Sequence, residues 1–164
     1  MSSPEQFTAT ITTSDETEPT TAILRDTHQV KSDEPHWLPP PFAGEDAYPA
    51  PVDYLLASLA ICQTSVLKQC LEGNGVEVYH LRCEAEIDSY SRDPDHPDEM
   101  PAHTATRIDH ITVAMTLRTL SKFEDVADIC LTTYDEGCIV GQSIGDAIDY
   151  TPVTALEIDD DLGR

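Results

Sequence analysis

Hydrophobic and polar residues alternate in two stretches near the start of the chain and in two more near its middle. Residues 6–12 and 20–31 alternate and are rich in threonine, which predicts a β-meander. In residues 79–88 apolar side chains fall on one face and polar side chains on the other, and residues 111–117 repeat the pattern. Because one face is polar, we expect an antiparallel sheet with a solvated side.

A helical period replaces the alternation after residue 50. Apolar residues recur at helical spacing from Val52 to Cys70, and Pro51 stands in the first turn, where its missing N–H costs nothing. The sequence EGNG at residues 72–75 is expected to end this helix. A second helix is predicted from a capping box at residues 121–124. Its predicted buried stripe is Phe123, Val126, Ala127, Cys130 and Tyr134.

The remaining segments complete an α+β pattern. Residues 138–148 predict a short helix, and residues 150–159 predict a last strand. Two longer helices with core stripes against antiparallel strands predict one α+β domain over residues 1–164, with short flexible ends at about residues 1–5 and 160–164. The proline-dense segment of residues 32–51 is predicted to be a long functional loop.

Charge narrows the classes of partner. The chain carries 31 Asp and Glu against 9 Lys and Arg, for a formal charge of −22. Such an excess argues against nucleic acid and anionic membrane surfaces, which need basic patches. It suits a folded protein in a salt-rich cytoplasm, where screening removes most of the self-repulsion. No secretory signal is recognisable, and no stretch is expected to reach the ~18 apolar residues of a membrane span.

Five cysteines are the residues most suited to chemistry. Their odd number and the absence of a CxxC pair argue against a secreted disulfide framework and a zinc ribbon, so we expect reduced thiols. Cys83 and Cys130 fall on predicted core faces, and Cys70 is also interpreted as structural. The histidines give no spacing that selects one of them, although His96 and His103 flank an acidic loop where a weak cation site is a less favoured alternative.

Cys62 and Cys138 differ from the other three. Cys138 follows a glycine and is expected to open a helix, where the N-terminal dipole favours a thiolate. Cys62 lies in the middle of a helix, where burial raises the pKa of a thiol unless a cation is near. Arg25, near the end of an early strand, is the nearest candidate for that cation. The residues alone therefore favour Cys138 as the more ionised sulfur.

The segments SDEP, GED and PVDYLLASLAICQTSVLKQCLEGNGVEV resemble the OsmC/Ohr family of osmotically inducible and organic hydroperoxide resistance proteins. A downstream CIV at residues 138–140 matches the second cysteine element of that family, and the resemblance runs over residues 20–158. It implies the OsmC-like fold, an intertwined homodimer with the long helices at its centre, and a cysteine-based peroxidase with no cofactor and no resident metal.

The resemblance also implies residue roles. Cys62 matches the peroxidatic thiol and Cys138 the resolving thiol, which reverses the ranking by helix dipole. Arg25 is the best match for the activating arginine. Many family members have a glutamate directly after the helix-starting proline, where this chain has Val52, so Asp53 is expected to orient the arginine instead.

The function expected from the sequence is therefore reduction of organic hydroperoxides in the cytoplasm. Cys62 would become a sulfenic acid, Cys138 would condense with it, and an external dithiol would restore both thiols. A noncatalytic dimeric module of the same fold, with both cysteines structural, is the alternative. Metal binding by Cys62, Cys138 and a histidine is a third possibility.

Overall fold

The computed structural model describes residues 8–12, 20–36, 38, 43–92 and 106–161. The chain divides into two compact units, Met1–Leu55 and Leu56–Arg164. The sequence SDETEP at residues 14–19, which predicts a turn, lies outside the described residues. So do Trp37 and Phe42 of the HWLPPPF segment (residues 36–42) and the loop with His96 and His103. The expectation of one domain over residues 1–164 stays a prediction.

The first unit contains the predicted β-meander. Strands β1 (Ala9–Thr12), β2 (Thr20–Leu24) and β3 (His28–Ser32) form one antiparallel sheet in the order β1-β2-β3. Arg25 and Asp26 make the reversal between β2 and β3 with φ values of 50° and 57°. Two left-handed residues in succession form the backbone of a tight hairpin turn, one position before Asp26 and Thr27, where the sequence predicts a reversal.

Two segments that carry the family resemblance fold against each other after β3. The Asp33 carboxylate accepts hydrogen bonds from the backbone N–H groups of Glu45 at 3.0 Å and Ala47 at 3.2 Å. The hydrogen bond from Ala47 contributes most to lowering the pKa of Asp33 below its usual value, and the other backbone hydrogen bonds add to this effect. Gly44 lies so close to Glu34 that a Cβ atom there would be 2.2 Å from the Glu34 carbonyl oxygen. SDEP and GED are therefore one structured loop.

Helix α1 spans Pro51–Gly73 and is confirmed as predicted. Its buried residues recur every fourth position: Leu59, Gln63, Leu67 and Leu71. Gly75, with a φ of +70°, takes the left-handed conformation after the helix end.

By length and composition α1 could cross a membrane, since an 18-residue window has a mean hydropathy of 1.2. Gln63, Thr64 and Lys68 interrupt the apolar residues of the helix, so it is not a run of ~18 apolar residues, and a single helix of this kind is weak evidence for a membrane span. Core helices of soluble proteins pass the same test, and 22% of this window is buried.

The second sheet, in the second unit, is mixed rather than antiparallel. Strand β4 (His80–Arg92) pairs antiparallel with β5 (Thr106–Thr119), as predicted. Strand β6 (Asp149–Ile158), however, pairs parallel with β5, which corrects the prediction of purely antiparallel sheets. The reason is the long crossover of residues 120–148, since a crossover with helices returns the chain to the end of the sheet where β5 began before the next strand starts.

The crossover contains the remaining helices. A short 3₁₀ turn at Ser121–Phe123 leads into α2 (Glu124–Thr133), and a second 3₁₀ turn at Tyr134–Gly137 leads into α3 (Ile139–Ile144). The capping box predicted at residues 121–124 was wrong, because no side chain caps α2 and the Ser121 N–H instead donates to the Asp160 carboxylate at 2.8 Å.

Two hydrophobic clusters form the core of the second unit, and the predicted core faces of β4, β5 and α2 are confirmed. The α2 cluster has as its buried members Leu67, Leu71, Val76, Met115, Leu117, Ala127, Cys130, Leu131 and Tyr134. The α3 cluster has as its buried members Leu59, Ile111, Val113 and Cys138.

Candidate active site

Cys62 and Cys138 come together although 76 positions separate them in the sequence. Cys62 lies on α1, is half-buried and packs against the α3 cluster, of which Cys138 is a fully buried member. Their thiol groups interact, since the Cys62 side chain contributes to a raised pKa of Cys138, and both are free thiols. A pair of contacting thiols is the arrangement that a sulfenic acid on one and condensation by the other require.

Cys138 is not ionised, contrary to the expectation from the helix dipole. Burial raises the pKa of Cys138 to about 11, even though the Gly141 N–H donates to its sulfur at 3.2 Å and opposes the rise. The neighbouring Cys62 sulfur raises that pKa further. Because α3 has only six residues, its dipole cannot overcome the desolvation of a fully buried thiolate. Cys138 is therefore protonated at neutral pH.

Gly141 and Tyr150 shape the wall around Cys138, and sequence reasoning missed both. A Cβ atom on Gly141 would be 2.9 Å from the Tyr150 hydroxyl oxygen and 3.3 Å from the Cys138 sulfur. Only glycine therefore lets the Tyr150 ring approach the turn that holds Cys138. Desolvation by burial raises the pKa of Tyr150, so this hydroxyl is a neutral hydrogen-bonding group.

Cys70 and Cys130 form a disulfide, with 2.09 Å between the sulfurs and 5.8 Å between the Cα atoms. The expectation of five reduced thiols is thereby corrected. Cys130 is 1% exposed in the α2 cluster, and Cys70 packs against that cluster from the C-terminal part of α1. Both residues do lie at core positions, as predicted, but sequence periodicity alone did not show that they face each other.

Each of the two cysteine pairs has one residue on α1 and the other on the crossover. Cys70 follows Cys62 by eight residues on α1, and Cys138 follows Cys130 by eight residues on the crossover. α1 and the crossover therefore meet in opposite chain directions. Between the pairs, Gly137 lies against Val66, where an added Cβ atom would be 2.9 Å from a Val66 methyl carbon.

Cys83 lies on the core face of β4, where the alternation predicts it. Its side chain packs against the α2 cluster and against the α3 cluster, and among the partly buried hydrophobic residues that the structure describes it is the one that packs against both. Burial raises the pKa of Cys83, and a hydrogen bond with the Thr64 side chain opposes the rise.

Two buried polar side chains next to the cysteines have no hydrogen-bond partner among the described residues. They are the Gln63 amide, which is 0% exposed and follows Cys62 in α1, and the Tyr134 hydroxyl. Burial raises the pKa of Tyr134 to about 12, and the thiols of Cys83 and Cys138 also contribute to that rise. Periodicity predicts Tyr134 on the buried stripe of α2 but says nothing of its hydroxyl, and Gln63 is a polar residue that breaks the predicted apolar stripe of α1.

Arg25 and Asp53, the other two predicted site residues, both belong to the first unit. Arg25 lies in the turn after β2, near the strand end where the sequence placed it. The Asp53 carboxylate accepts a hydrogen bond from the Ala50 N–H at 2.8 Å, which caps the N-terminus of α1. An ion pair that joins Arg25 to Asp53 or to Cys62 stays a prediction.

A metal site is not formed by the described residues, because no group of three or more His, Cys, Asp or Glu side chains is placed to hold an ion there. Cys62 and Cys138 contact each other without a histidine completing a ligand set in the described part of the chain.

Several solved structures share this fold. An organic hydroperoxide resistance protein OsmC from Legionella pneumophila has 12% identity and a TM-score of 0.64, with 95% of this chain and 99% of that chain covered. A protein from Psychrobacter arcticus, described as a putative osmotic stress induced and detoxification response protein, has 18% identity and a TM-score of 0.63, with 96% of this chain and 100% of that chain covered. A hypothetical protein from Aquifex aeolicus has 13% identity and a TM-score of 0.66 over 94% and 98%.

Sequence comparison matches the chain to a family but not to an individual curated protein. No curated protein matches the chain significantly. The family model described as OsmC-like protein matches residues 44–152. This range includes α1, the second sheet up to Pro152, and the four residues of the two cysteine pairs: Cys62, Cys70, Cys130 and Cys138. The chain therefore belongs to the OsmC-like protein family.

Proposed function

We propose that this protein is a thiol peroxidase that reduces organic hydroperoxides. The Cys62 thiolate attacks the outer peroxide oxygen, the O–O bond breaks, and the alcohol leaves with a proton while Cys62 becomes a sulfenic acid. The Cys138 sulfur then attacks the Cys62 sulfur. Its proton leaves with the sulfenic oxygen as water, and a disulfide remains. An external dithiol reduces that disulfide by exchange, so no cofactor or metal is needed.

The contact between the Cys62 and Cys138 sulfurs is the observation that carries this proposal. Cys62 is half-buried and can meet a substrate, whereas Cys138 is fully buried and protonated, which suits the resolving role. The S–H of Cys138 can donate to the Cys62 sulfur and favour its ionised form, because hydrogen bonds to a charged group stabilise it. The hydroperoxide resistance proteins of the same fold agree with this chemistry.

Arg25 is proposed to lower the pKa of Cys62 and to hydrogen-bond the peroxide oxygens, and Asp53 to orient it. If so, Arg25→Lys will lose most of the rate because a lysine ammonium cannot form a planar fork on two oxygens. The experiment is the second-order rate of Cys62 oxidation at several pH values. A rate and a pH profile unchanged in Arg25→Ala would remove Arg25 from the mechanism.

A homodimer is proposed because the outer face of α1 is apolar and uncovered. Ala57, Ser58, Ile61 and Ser65 are exposed on one side of the helix, and Ile61 is 66% exposed. A second copy of the chain would cover this face, and small residues allow close helix approach. Since the chain carries a charge of −22, association should strengthen with salt. Sedimentation of the wild type and of Ile61→Glu at low and high salt tests both statements.

The compartment and the salt adaptation are proposals of the same kind. The acidic composition fits a salt-rich cytoplasm, and the chemistry needs a cellular dithiol, which that compartment provides. The alkyl part of the substrate is proposed to lie along the apolar face near Cys62 and along the HWLPPPF segment, of which His36 and Leu38 are among the described residues.

The decisive experiment is oxidation of the reduced protein by one equivalent of cumene hydroperoxide. The expected result is the loss of two thiols and a crosslinked peptide that joins Cys62 to Cys138. Cys62→Ser should not react, and Cys138→Ser should accumulate a sulfenic acid that a 1,3-dione traps. Ser65→Ala, an exposed change on the same helix, is the matched control. No thiol loss, or equal loss in Cys62→Ser, would favour the noncatalytic module.

A further inference from the structure

The structure combines a disulfide at one cysteine pair with free thiols at the other. Cys70 and Cys130 are bonded, whereas Cys62 and Cys138 touch as thiols. This is the distribution that would result if a disulfide formed between Cys62 and Cys138 and was then transferred by exchange to Cys70 and Cys130. Cys130 is 1% exposed, so a bulky hydroperoxide cannot reach its sulfur from solvent without local opening of the core.

The fifth cysteine lies at both clusters. Cys83 packs against the cluster that contains Cys138 and against the cluster that contains Cys130. Cys62 packs against the first of these clusters and Cys70 against the second. Each of the five cysteines therefore belongs to or packs against one of the two clusters, and Cys83 packs against both.

We propose that Cys70 and Cys130 are a second redox-active pair, which receives the disulfide of Cys62 and Cys138 by exchange through Cys83. The inference rests on the proposed peroxidase function, because the hydroperoxide is the oxidant that first makes the Cys62–Cys138 bond. Transfer returns Cys62 to its thiol form. One chain would then accept a second equivalent of hydroperoxide before any external dithiol acts.

The transfer balances as three exchanges with no net oxidation. The Cys83 thiolate attacks Cys62, a Cys62–Cys83 bond forms and Cys138 leaves as a thiolate that takes up the proton. Cys130 then attacks Cys83 and releases Cys62. Cys70 finally attacks Cys130 and releases Cys83 as a thiol. Burial raises the pKa of Cys83, so its thiolate is scarce and the first exchange is expected to follow well after the Cys62–Cys138 bond has formed.

The test starts from protein with all five thiols reduced, kept free of oxygen. One equivalent of cumene hydroperoxide is added, samples are alkylated at intervals, and the crosslinked peptides are quantified by mass spectrometry. We expect the Cys62–Cys138 crosslink to rise first and then to fall as the Cys70–Cys130 crosslink rises. A second equivalent should be consumed without added dithiol. Formation of Cys70–Cys130 at an equal rate in Cys62→Ser would overturn the inference.

Two variants test the relay itself. In Cys83→Ser and Cys83→Ala, the yield of the Cys70–Cys130 crosslink after one equivalent should fall by about tenfold or more, since exchange needs an attacking thiolate. Ala85→Ser, a change at the next core-facing position of β4, is the matched control and should transfer as the wild type does. Wild-type transfer in both Cys83 variants would refute the relay.

The time course separates the two proposals. If the Cys62–Cys138 crosslink never forms in the wild type, the peroxidase function itself fails. If that crosslink forms and persists while Cys70 and Cys130 stay reduced, the peroxidase function stands and only the second pair is refuted.

Discussion

The Cys70–Cys130 disulfide should be a large contributor to the stability of the second unit. The perturbation is the double variant Cys70→Ala/Cys130→Ala, together with chemical reduction of the wild type. The bond joins residues separated by 60 positions. For a closed loop of that length, the loss of chain entropy in the unfolded state corresponds to about 4 kcal/mol at 25 °C.

Packing modifies this magnitude. Cys130 is 1% exposed in the α2 cluster, so alanine also leaves a small cavity there and adds to the loss, on the order of 1 kcal/mol. Reduction removes the covalent bond without removing the sulfur atoms. Reduced wild type should therefore lose about 4 kcal/mol, and the double variant should lose slightly more.

The assay is urea unfolding followed by circular dichroism at one fixed protein concentration, with and without a phosphine reductant. Fixed concentration matters because the proposed dimer would make apparent stability depend on it. The reductant should shift the wild-type midpoint and leave the double variant unchanged, which is the internal control. An equal midpoint for oxidised and reduced wild type would refute the reasoning, because it would mean that the bond does not restrict the unfolded chain.

Three further predictions concern the core, the thiol pocket and the first unit. Gln63→Leu should raise the free energy of unfolding by about 1–3 kcal/mol in urea titration, since it removes a buried amide that has no hydrogen-bond partner among the described residues, and a loss of stability would contradict this. Gly141→Ala should slow disulfide formation by Cys138 in the peroxide assay, because the added Cβ would lie 3.3 Å from that sulfur, and an unchanged rate would show that the turn yields. Asp33→Asn should destabilise the protein at pH 6, because the hydrogen bond from the Ala47 N–H lowers the pKa of the Asp33 carboxyl. The stability that this carboxylate contributes is present above its ordinary pKa of 3.8 and is lost as pH falls through the lower pKa of the folded state. The urea midpoints of wild type and variant should therefore converge in acid.

Local periodicity was enough to predict the elements and their buried faces. The alternation around Val113 and Met115 identified the core side of β5, and the helical spacing identified α1 from Pro51 onward. These patterns are local, and each depends only on which face of an element meets the core. The direction of β6 was not predictable in this way, because a solvated face occurs in mixed as well as antiparallel sheets and only the crossover decides the direction.

The site was predicted in part for a similar reason. The resemblance selected Cys62 and Cys138, and the contact between their sulfurs is a tertiary fact that no period shows. The dipole argument for Cys138 failed because it considered a helix end without its burial. The equal spacing of eight residues in the two segments was a usable signal for Cys70 and Cys130, but it has meaning only once α1 and the crossover are known to run in opposite directions.

The parallel pairing of β6 with β5 has a consequence for the order of folding. Cys130 and Cys138 both lie on the crossover, which is anchored at its far end only when β6 joins the sheet. Pairing of strands so distant in sequence is slow, because the loop must close before any contact stabilises it. Both cysteine pairs are thus assembled late, and a chain still emerging from the ribosome would carry five separated thiols until its last strand arrived.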